Sequence, residues 1–594
     1  MGIPTYFSYI IQHYPQIVQG KLTETTEHFF LDCNSIIYDI YNAIKTTHDN
    51  NVNIEKTLIV LTIAKIKEYI ALIRPTKTVM IAFDGVAPFA KMKQQKTRRY
   101  KSYFISANTP SSGCVWGVGD IGANSTTACF STTAITPGTP FMDALAEAIR
   151  VSFPEYYPKN PNLRVIVSTS QEAGEGEHKI FQYIRYNRTR FLENDNIVVY
   201  GLDSDLIMLS LFHFNQYKCK NIYTFREKML EHKHNNNIKK HNNNNARTQQ
   251  IEYTFLNIGM LSATIMKEMN FGGGIGAIEA NGRTVIYDYL FLCFFLGNDF
   301  LPHFPALNIR TEGMKRLMAT YREHIGKHPD RCLVDINIQI QWKWVLLLVK
   351  ELSKMEKTWI LCEYETRNKK WDNISATDNN NIMTEEILND IPIFFRQQEK
   401  YINPQEAGWK ERYYYTLFHN IIASTPTTPT ITPTTTPSSS PTAKGGGKVG
   451  MTVSEMYYKS LEWVLLYYTT DCPDWEWSYP YDYPPLLEDL SYTYTPLMRG
   501  IPWKWTFGIC PYHPYIQLSY VLPQQQLQDY LPEWVVALFF GDYYTDNDVP
   551  PPKHEFQWAF CRYFWESHVV FNDSNIGIHT MNKWRGLLLE NNIE

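Results

Sequence analysis

The sequence predicts an α/β fold: a mostly parallel, twisted sheet flanked by helices, with a second, aromatic-rich and mainly helical region docked on it. Two observations predict this. Through about residue 355, short apolar runs alternate with longer helical patterns, the order that builds a parallel sheet covered by helices. After residue 450 the chain turns aromatic, in EWVLLYYTTDCPDWEWSYPYDYPP and EFQWAFCRYFWESHVV, and rings at that density need a packed body to bury them. A chain of 594 residues is also too long for one hydrophobic core, so two regions are expected, 1–355 and 356–594.

The expected strands, in order, are HFFLDC (28–33), TVMIAF (78–83), RVIVS (164–168) and IVVYG (197–201). Each is short, rich in β-branched or aromatic residues and apolar throughout, as a strand buried on both faces must be. Helical patterns follow, such as KIFQYIRYNR after residue 178 and DLIMLSLFHF after 204. Two stretches interrupt the pattern, HKHNNNIKKHNNNNARTQQ (232–250) and STPTTPTITPTTTPSSSPTAKGGGKVG (424–450). Neither holds enough apolar surface to repay its ordering, so both are expected as disordered insertions.

Composition narrows the class. No run approaches the roughly 20 apolar residues of a membrane-spanning helix, and MGIPTYFSYI lacks the basic-then-apolar layout of a secretory signal. Myristoylation at Gly2 would want Ser or Thr where Tyr6 stands. An intracellular protein without a membrane partner is expected. The ten cysteines include no CxxC pair, which argues against a zinc site or a disulfide framework. The net charge of −4 would argue against nucleic acid only if it were evenly spread, and it is not.

Acids stand where the strands end. HFFLDCN delivers Asp32, TVMIAFDG delivers Asp84, RVIVSTSQEAGEGEH leads to Glu175 and Glu177, and IVVYGLDSD delivers Asp203 and Asp205. Asp299 follows the apolar run YLFLCFFLGND. In open parallel sheets ligands bind beyond the carboxyl ends of the strands, so these side chains are expected to converge. Like charges so close raise one another's pKa values unless cations neutralise them. An all-oxygen set suits Mg²⁺, with Mn²⁺ as a substitute, better than Zn²⁺, and two such ions form the clamp that drives in-line attack on a phosphodiester.

A basic stretch follows Asp84. Residues 91–101 hold Lys91, Lys93, Lys96, Arg98, Arg99 and Lys101 without an acid, and helical spacing puts Lys91, Gln95, Arg98 and Arg99 on one face. Bidentate Arg, point-charge Lys and neutral Gln together suit a terminal phosphate.

With these residues in place, the chain resembles the XRN-type 5′→3′ exoribonucleases over nearly its whole length. The blocks that carry the resemblance are MGIPTYFSYI, FFLDCNSII, FDGVAPFAKMKQQKTRRY, ITPGTPFM, GEGEHKIFQYIR, YGLDSDLIML, FLCFFLGNDFLPHFP, EKYINPQEAGWKERYY and WEWSYPYDYPPLLEDL. The resemblance implies a PIN/flap-nuclease-like sheet. It also implies Mg²⁺-dependent, processive hydrolysis of single-stranded, decapped RNA from a 5′-monophosphate end to nucleoside 5′-monophosphates, in mRNA decay. On that pattern Asp32, Asp84, Glu175, Glu177, Asp203, Asp205 and Asp299 hold two metal ions, and Lys91, Gln95, Arg98 and Arg99 form the 5′-phosphate pocket. A closed monophosphate pocket would reject capped and triphosphate ends.

The family stacks terminal bases between a histidine and a tryptophan. Tyr38 stands here where the histidine is usual, and Trp558 is the matching tryptophan. Other departures are Phe89 for an arginine, Pro140 for a glutamate, Ala173 for a proline and Asp482 for a histidine. By family analogy the protein is a cytoplasmic monomer acting with the decapping machinery, with a nuclear place left open. Because the chain ends at Glu594, the extension that docks decapping partners is expected to be missing. A flap-type DNA nuclease and a catalytically silent RNA-binding scaffold are the competing classes. The first would lack the ITPGT, NDFLPH and YPYDYPP blocks, and the second would have lost an acid.

Overall fold

The computed structural model describes residues 2–3, 5–44, 53–108, 130–157, 160–217, 219–227, 252–269, 275–375, 396–419, 452–492, 503–508, 510–541, 554–557, 564–571 and 576–593. The insertions expected at 232–250 and 424–450, and Trp558, lie outside the described residues.

The body is an eight-stranded sheet: β1 (Val18–Gln19), β2 (His28–Asp32), β3 (Thr78–Ala82), β4 (Tyr156–Tyr157), β5 (Asn160–Ser168), β6 (Asn196–Tyr200), β7 (Asn221–Glu227) and β8 (Tyr253–Asn257), in the spatial order β1-β8-β7-β6-β2-β3-β5-β4. The central strands β7, β6, β2, β3 and β5 run parallel, and the edges close with antiparallel pairs. The four expected strands are β2, β3, the second half of β5, and β6. Every residue of β2, β3 and β6 is buried, which is why those runs are apolar without alternation.

Alternation reappears in which core each residue enters. Phe30, Met80, Ala82, Ile197 and Val199 point into one core. Phe29, Leu31, Val79, Ile81, Val198 and Tyr200 point into the other. The second core is covered by α2 (Asn34–Ile44), α3 (Ile54–Ile73) and α5 (Pro140–Ser152). The first holds α1 (Tyr6–His13), α6 (Gly176–Tyr186), α7 (Asp205–Gln216), α8 (Ile258–Met269) and α9 (Ile275–Phe294), and continues without a break into the aromatic helix Val453–Thr469. That helix starts with a full capping box between Thr452 and Glu455. A third core joins Val86, Phe89 and Met92 to residues 512–536 and 581–588. Phe89 and Met92 belong to α4 (Phe89–Asn108), the basic helix, which is thus clamped between the sheet and the C-terminal region.

Register fixes the working edge. Asp32 pairs with Ala82, Ala82 with Ser168 and Leu31 with Tyr200, so β2, β3, β5 and β6 end level with one another. Residues just beyond those ends share one rim.

Candidate active site

Each acid is placed by a different element. Asp32 is the last residue of β2 and is buried. Asp84 lies two residues beyond β3 and is held on three sides. Asn34 Nδ2 donates to its Oδ2 at 2.8 Å, its own N–H donates to Asn34 Oδ1 at 3.0 Å, and the N–H of Gly176 donates to its Oδ1 at 2.7 Å. Glu175 is the N-cap residue of α6 and Glu177 lies in its first turn, near the positive end of the helix dipole. Asp203 precedes α7 and Asp205 opens it. Asp299 follows α9, in a turn where Asn298 Oδ1 accepts the N–H groups of Phe300 and Leu301.

Burial and mutual repulsion raise four of them, Asp32, Glu175, Glu177 and Asp205. Burial, then Asp84, Asp203 and Glu175, pushes the Asp32 carboxyl well above its usual range. Burial, then Asp203, Asp205 and Glu175, does the same to Glu177. Asp205 is pushed up to about 7, by burial and then by Asp299. The carboxylates therefore feel one another as a single cluster.

A lysine sits among them. Lys91, buried in the first turn of α4, ion-pairs with Glu175 and donates from Nζ to Asp299 Oδ2 at 2.7 Å. Burial opposes its charge, but Asp299 and Glu175 hold its pKa well above the usual lysine value. Reciprocally, burial raises Asp299, but Lys91 leads the positive charges that together keep that carboxyl below the ordinary carboxylate range.

The residues fit hard divalent cations by their chemistry. Asp32 Oδ1, Glu177 Oε2 and Asp205 Oδ1 are buried carboxylate oxygens with no hydrogen-bond partner, an expensive condition unless a cation answers it. As the side chains stand, no three His, Cys, Asp or Glu among the described residues are arranged to hold one ion.

The four side chains expected to share a phosphate-binding face of α4 are separated in the structure. Lys91 faces the acids. Two turns on, about 12 Å along the axis at 1.5 Å per residue, Arg99 is fixed by the loop after α4. It donates to Thr132 O at 3.2 Å, Ile135 O at 3.0 Å, Thr136 Oγ1 at 2.8 Å and the Tyr38 hydroxyl at 3.3 Å. Arg98 is exposed and adds to the field that lowers Asp299. Gln95 Oε1 is buried without a partner, and Gln94 Nε2, not Gln95, donates to Asp299 Oδ1 at 3.2 Å. Tyr38, half-buried on α2, thus stands beside Arg99.

Sequence reasoning missed four contributors. Asn34, which orients Asp84, sits in the FLDCN block two residues past Asp32, where spacing gave a signal. Gln94 was overshadowed by its neighbour. Tyr467 donates to Glu175 Oε1 at 2.8 Å and stacks on His178 at 3.8 Å, from 292 residues away from that acid, with nothing local to announce it. Trp565 lies in the connection between β9 (His554–Gln557) and β10 (His568–Phe571); its ring is 43% exposed and 6.0 Å from the Arg310 guanidinium, and its carbonyl accepts from Lys101 Nζ at 2.7 Å.

Three of the departures from the resemblance have identifiable local surroundings. Phe89 packs on Tyr520 in the third core, with ring centres 5.3 Å apart. Pro140 takes the first position of α5, where its missing N–H costs nothing, behind the Thr139 cap. Asp482 lies 4.0 Å from His568 Nδ1. Nothing in the structure explains Ala173.

Comparison with known families agrees with this arrangement. Residues 1–228 match the family model described as XRN 5'-3' exonuclease N-terminus, and residues 280–404 and 443–565 match the Xrn1 helical domain. The chain belongs to the XRN family. Across its full length this XRN chain is 23% identical to the 5'-3' exoribonuclease 2 of Debaryomyces hansenii, covering 71% of that protein. Over 95% of its length it is 24% identical to the 5'-3' exoribonuclease 2 of Arabidopsis thaliana, covering 65% of it. Over 96% it is 24% identical to the 5'-3' exoribonuclease 1 of Saccharomyces cerevisiae, of which it spans 42%. No helix among the described residues of the XRN chain is long and apolar enough to cross a membrane.

Proposed function

We propose that this XRN chain is a processive 5′→3′ exoribonuclease that hydrolyses single-stranded, decapped RNA bearing a 5′-monophosphate to nucleoside 5′-monophosphates. The observation that carries the proposal is the buried cluster of acids at the level ends of β2, β3, β5 and β6, with the basic helix α4 leading away from it.

Asp32, Asp84, Glu175, Glu177, Asp203, Asp205 and Asp299 would hold two Mg²⁺ ions, or Mn²⁺ in their place. Bound there, the ions supply a nucleophile at neutral pH and stabilise charge on the leaving oxygen. The chain's own residues set the geometry. Asn34 and the Gly176 N–H aim the Asp84 carboxylate, and Tyr467 aims Glu175. Lys91, Gln95, Arg98 and Arg99 receive the 5′-phosphate, with Lys91 shared between that phosphate and the acids. Tyr38 offers a ring to a terminal base, a contact worth about 1–3 kcal/mol and indifferent to base identity. Trp558 or the exposed Trp565 offers the opposing ring.

The sheet is read as PIN/flap-nuclease-like, and the chain as two regions meeting near residue 355. Cytoplasmic mRNA decay by a monomer, downstream of decapping, completes the reading.

The test uses 3′-labelled RNAs that differ only at the 5′ end. With Mg²⁺ the 5′-monophosphate RNA should shorten to the end without long intermediates, 5′-triphosphate RNA should persist, and EDTA should stop both reactions. Equal attack on the two RNAs would refute the pocket, turnover in EDTA would refute the metal reading, and cleavage of flapped DNA in preference to RNA would reassign the substrate.

A further inference from the structure

Two of the three partnerless carboxylate oxygens are faced by glycines. A Cβ placed on Gly2 would lie 1.8 Å from Asp205 Oδ1 and 2.3 Å from Asp205 Cγ. A Cβ placed on Gly176 would lie 2.4 Å from Asp32 Oδ1. Both oxygens are buried and lack hydrogen-bond partners. Distances this short are well inside contact, so either the glycine backbone or the carboxylate would have to move.

The backbones are not free to move. Gly2 has φ +54°, a left-handed conformation that side chains resist. The next residue, Ile3, is 1% exposed in the first core, and its carbonyl accepts from Ser204 Oγ at 3.1 Å, which clamps this segment against the turn carrying Asp203 and Asp205. Gly176 opens α6 and is tied to Asp84 Oδ1 by its N–H. The carboxylates are therefore what would yield.

We propose that Gly2 and Gly176 are positioning residues that keep Asp205 Oδ1 and Asp32 Oδ1 clear to face a divalent cation. This rests on the metal reading above and adds two backbone positions to it. Each carboxylate oxygen stands in the space that a side chain on its glycine would need, so a side chain there would rotate the carboxylate out of its present position.

Calorimetric titration of the full chain with Mn²⁺, without RNA, tests the proposal on wild type, Gly2→Ala, Gly176→Ala, Leu348→Ala, Asp205→Ala and the Gly2→Ala/Asp205→Ala pair. Gly2→Ala and Gly176→Ala should each weaken Mn²⁺ binding by about 10–100-fold, the usual effect of disturbing a ligand's support. They should lower kcat on 5′-monophosphate RNA while leaving KM in place. Leu348→Ala, which removes buried packing in the helix Trp342–Ser353 without a clash, should lower the melting temperature and leave Mn²⁺ affinity unchanged. In the Asp205→Ala background, Gly2→Ala should leave Mn²⁺ affinity unchanged, because its collision partner is gone, while the left-handed backbone at Gly2 still lowers the melting temperature.

Wild-type Mn²⁺ affinity in Gly2→Ala, or the same further loss in the double variant as in the single one, would overturn the role of Gly2. Unchanged affinity in Gly176→Ala would overturn that of Gly176. A wild type that binds no Mn²⁺, or that matches Asp205→Ala, would overturn the metal reading itself.

Discussion

Replacing Lys91 with methionine should expose how the acidic cluster is balanced. Its ammonium is buried between Glu175 and Asp299 and is the cation these two acids share. Methionine keeps most of the stem's volume, so the change is chiefly one of charge. Removing one partner of a buried ion pair costs about 3–5 kcal/mol, because the remaining charge is left without compensation. Here two carboxylates are left, but each has a second donor, Tyr467 on Glu175 and Gln94 on Asp299, which keeps the expected loss within that range. The assay is urea unfolding in EDTA and in Mg²⁺. In EDTA the variant should lose about 3–5 kcal/mol relative to wild type. Mg²⁺ no longer competes with an ammonium, so it should bind the variant more tightly, and every tenfold gain in affinity returns about 1.4 kcal/mol under saturating ion. The deficit should therefore shrink in Mg²⁺, while turnover of 5′-monophosphate RNA still falls. A loss below about 1 kcal/mol in EDTA, the range of an exposed pair, or a deficit that ignores Mg²⁺, would refute the reasoning.

Other substitutions separate aim, grip and scaffold. Asn34→Ala strips Asp84 of a side-chain donor and its N–H of an acceptor, and should lower kcat by about 10–100-fold, measured under saturating RNA; wild-type kcat would remove Asn34 from the site. Arg99→Lys cannot reproduce a fork shared among Thr132, Ile135, Thr136 and Tyr38, and should raise KM for 5′-monophosphate RNA and speed amide exchange around residues 132–136. Exchange at the wild-type rate would show that the loop holds itself. Glu356 accepts the N–H groups of Leu487 and Glu488, at 2.7 and 3.1 Å, at the start of the helix Leu487–Tyr492. Glu356→Ala should cost about 1–3 kcal/mol in urea unfolding by orphaning buried donors, with kcat of the folded enzyme unchanged.

The catalytic half of the fold was legible wherever burial on both faces forced unbroken apolar strands. β2, β3 and β6 announce themselves this way, and the acids beyond them follow from where parallel strands end. β7 went unread although NIYTFRE carries aromatic and β-branched residues, and β8 went unread because its partners lie across the Asn-rich stretch 232–250, in β7, and far back in the chain, in β1. Helical spacing put Lys91, Gln95, Arg98 and Arg99 on one face, but spacing says nothing about what each side chain meets. Lys91 turned toward the acids because Asp299, Glu175, Glu177 and Asp203 outbid solvent for its charge. Tyr467 and Gly2 were illegible for a different reason, since each acts on an acid hundreds of residues away and only the packed fold makes them neighbours.

The hydrogen bond from Tyr467 to Glu175 gives synthesis a schedule. At about 5–20 residues per second a ribosome takes roughly 15–60 s to travel from codon 175 to codon 467. Throughout that interval Glu175 has its ion pair with Lys91 but lacks its phenolic donor. That second tie waits for the aromatic helix, so the carboxylate takes its final aim only after most of the message has been read.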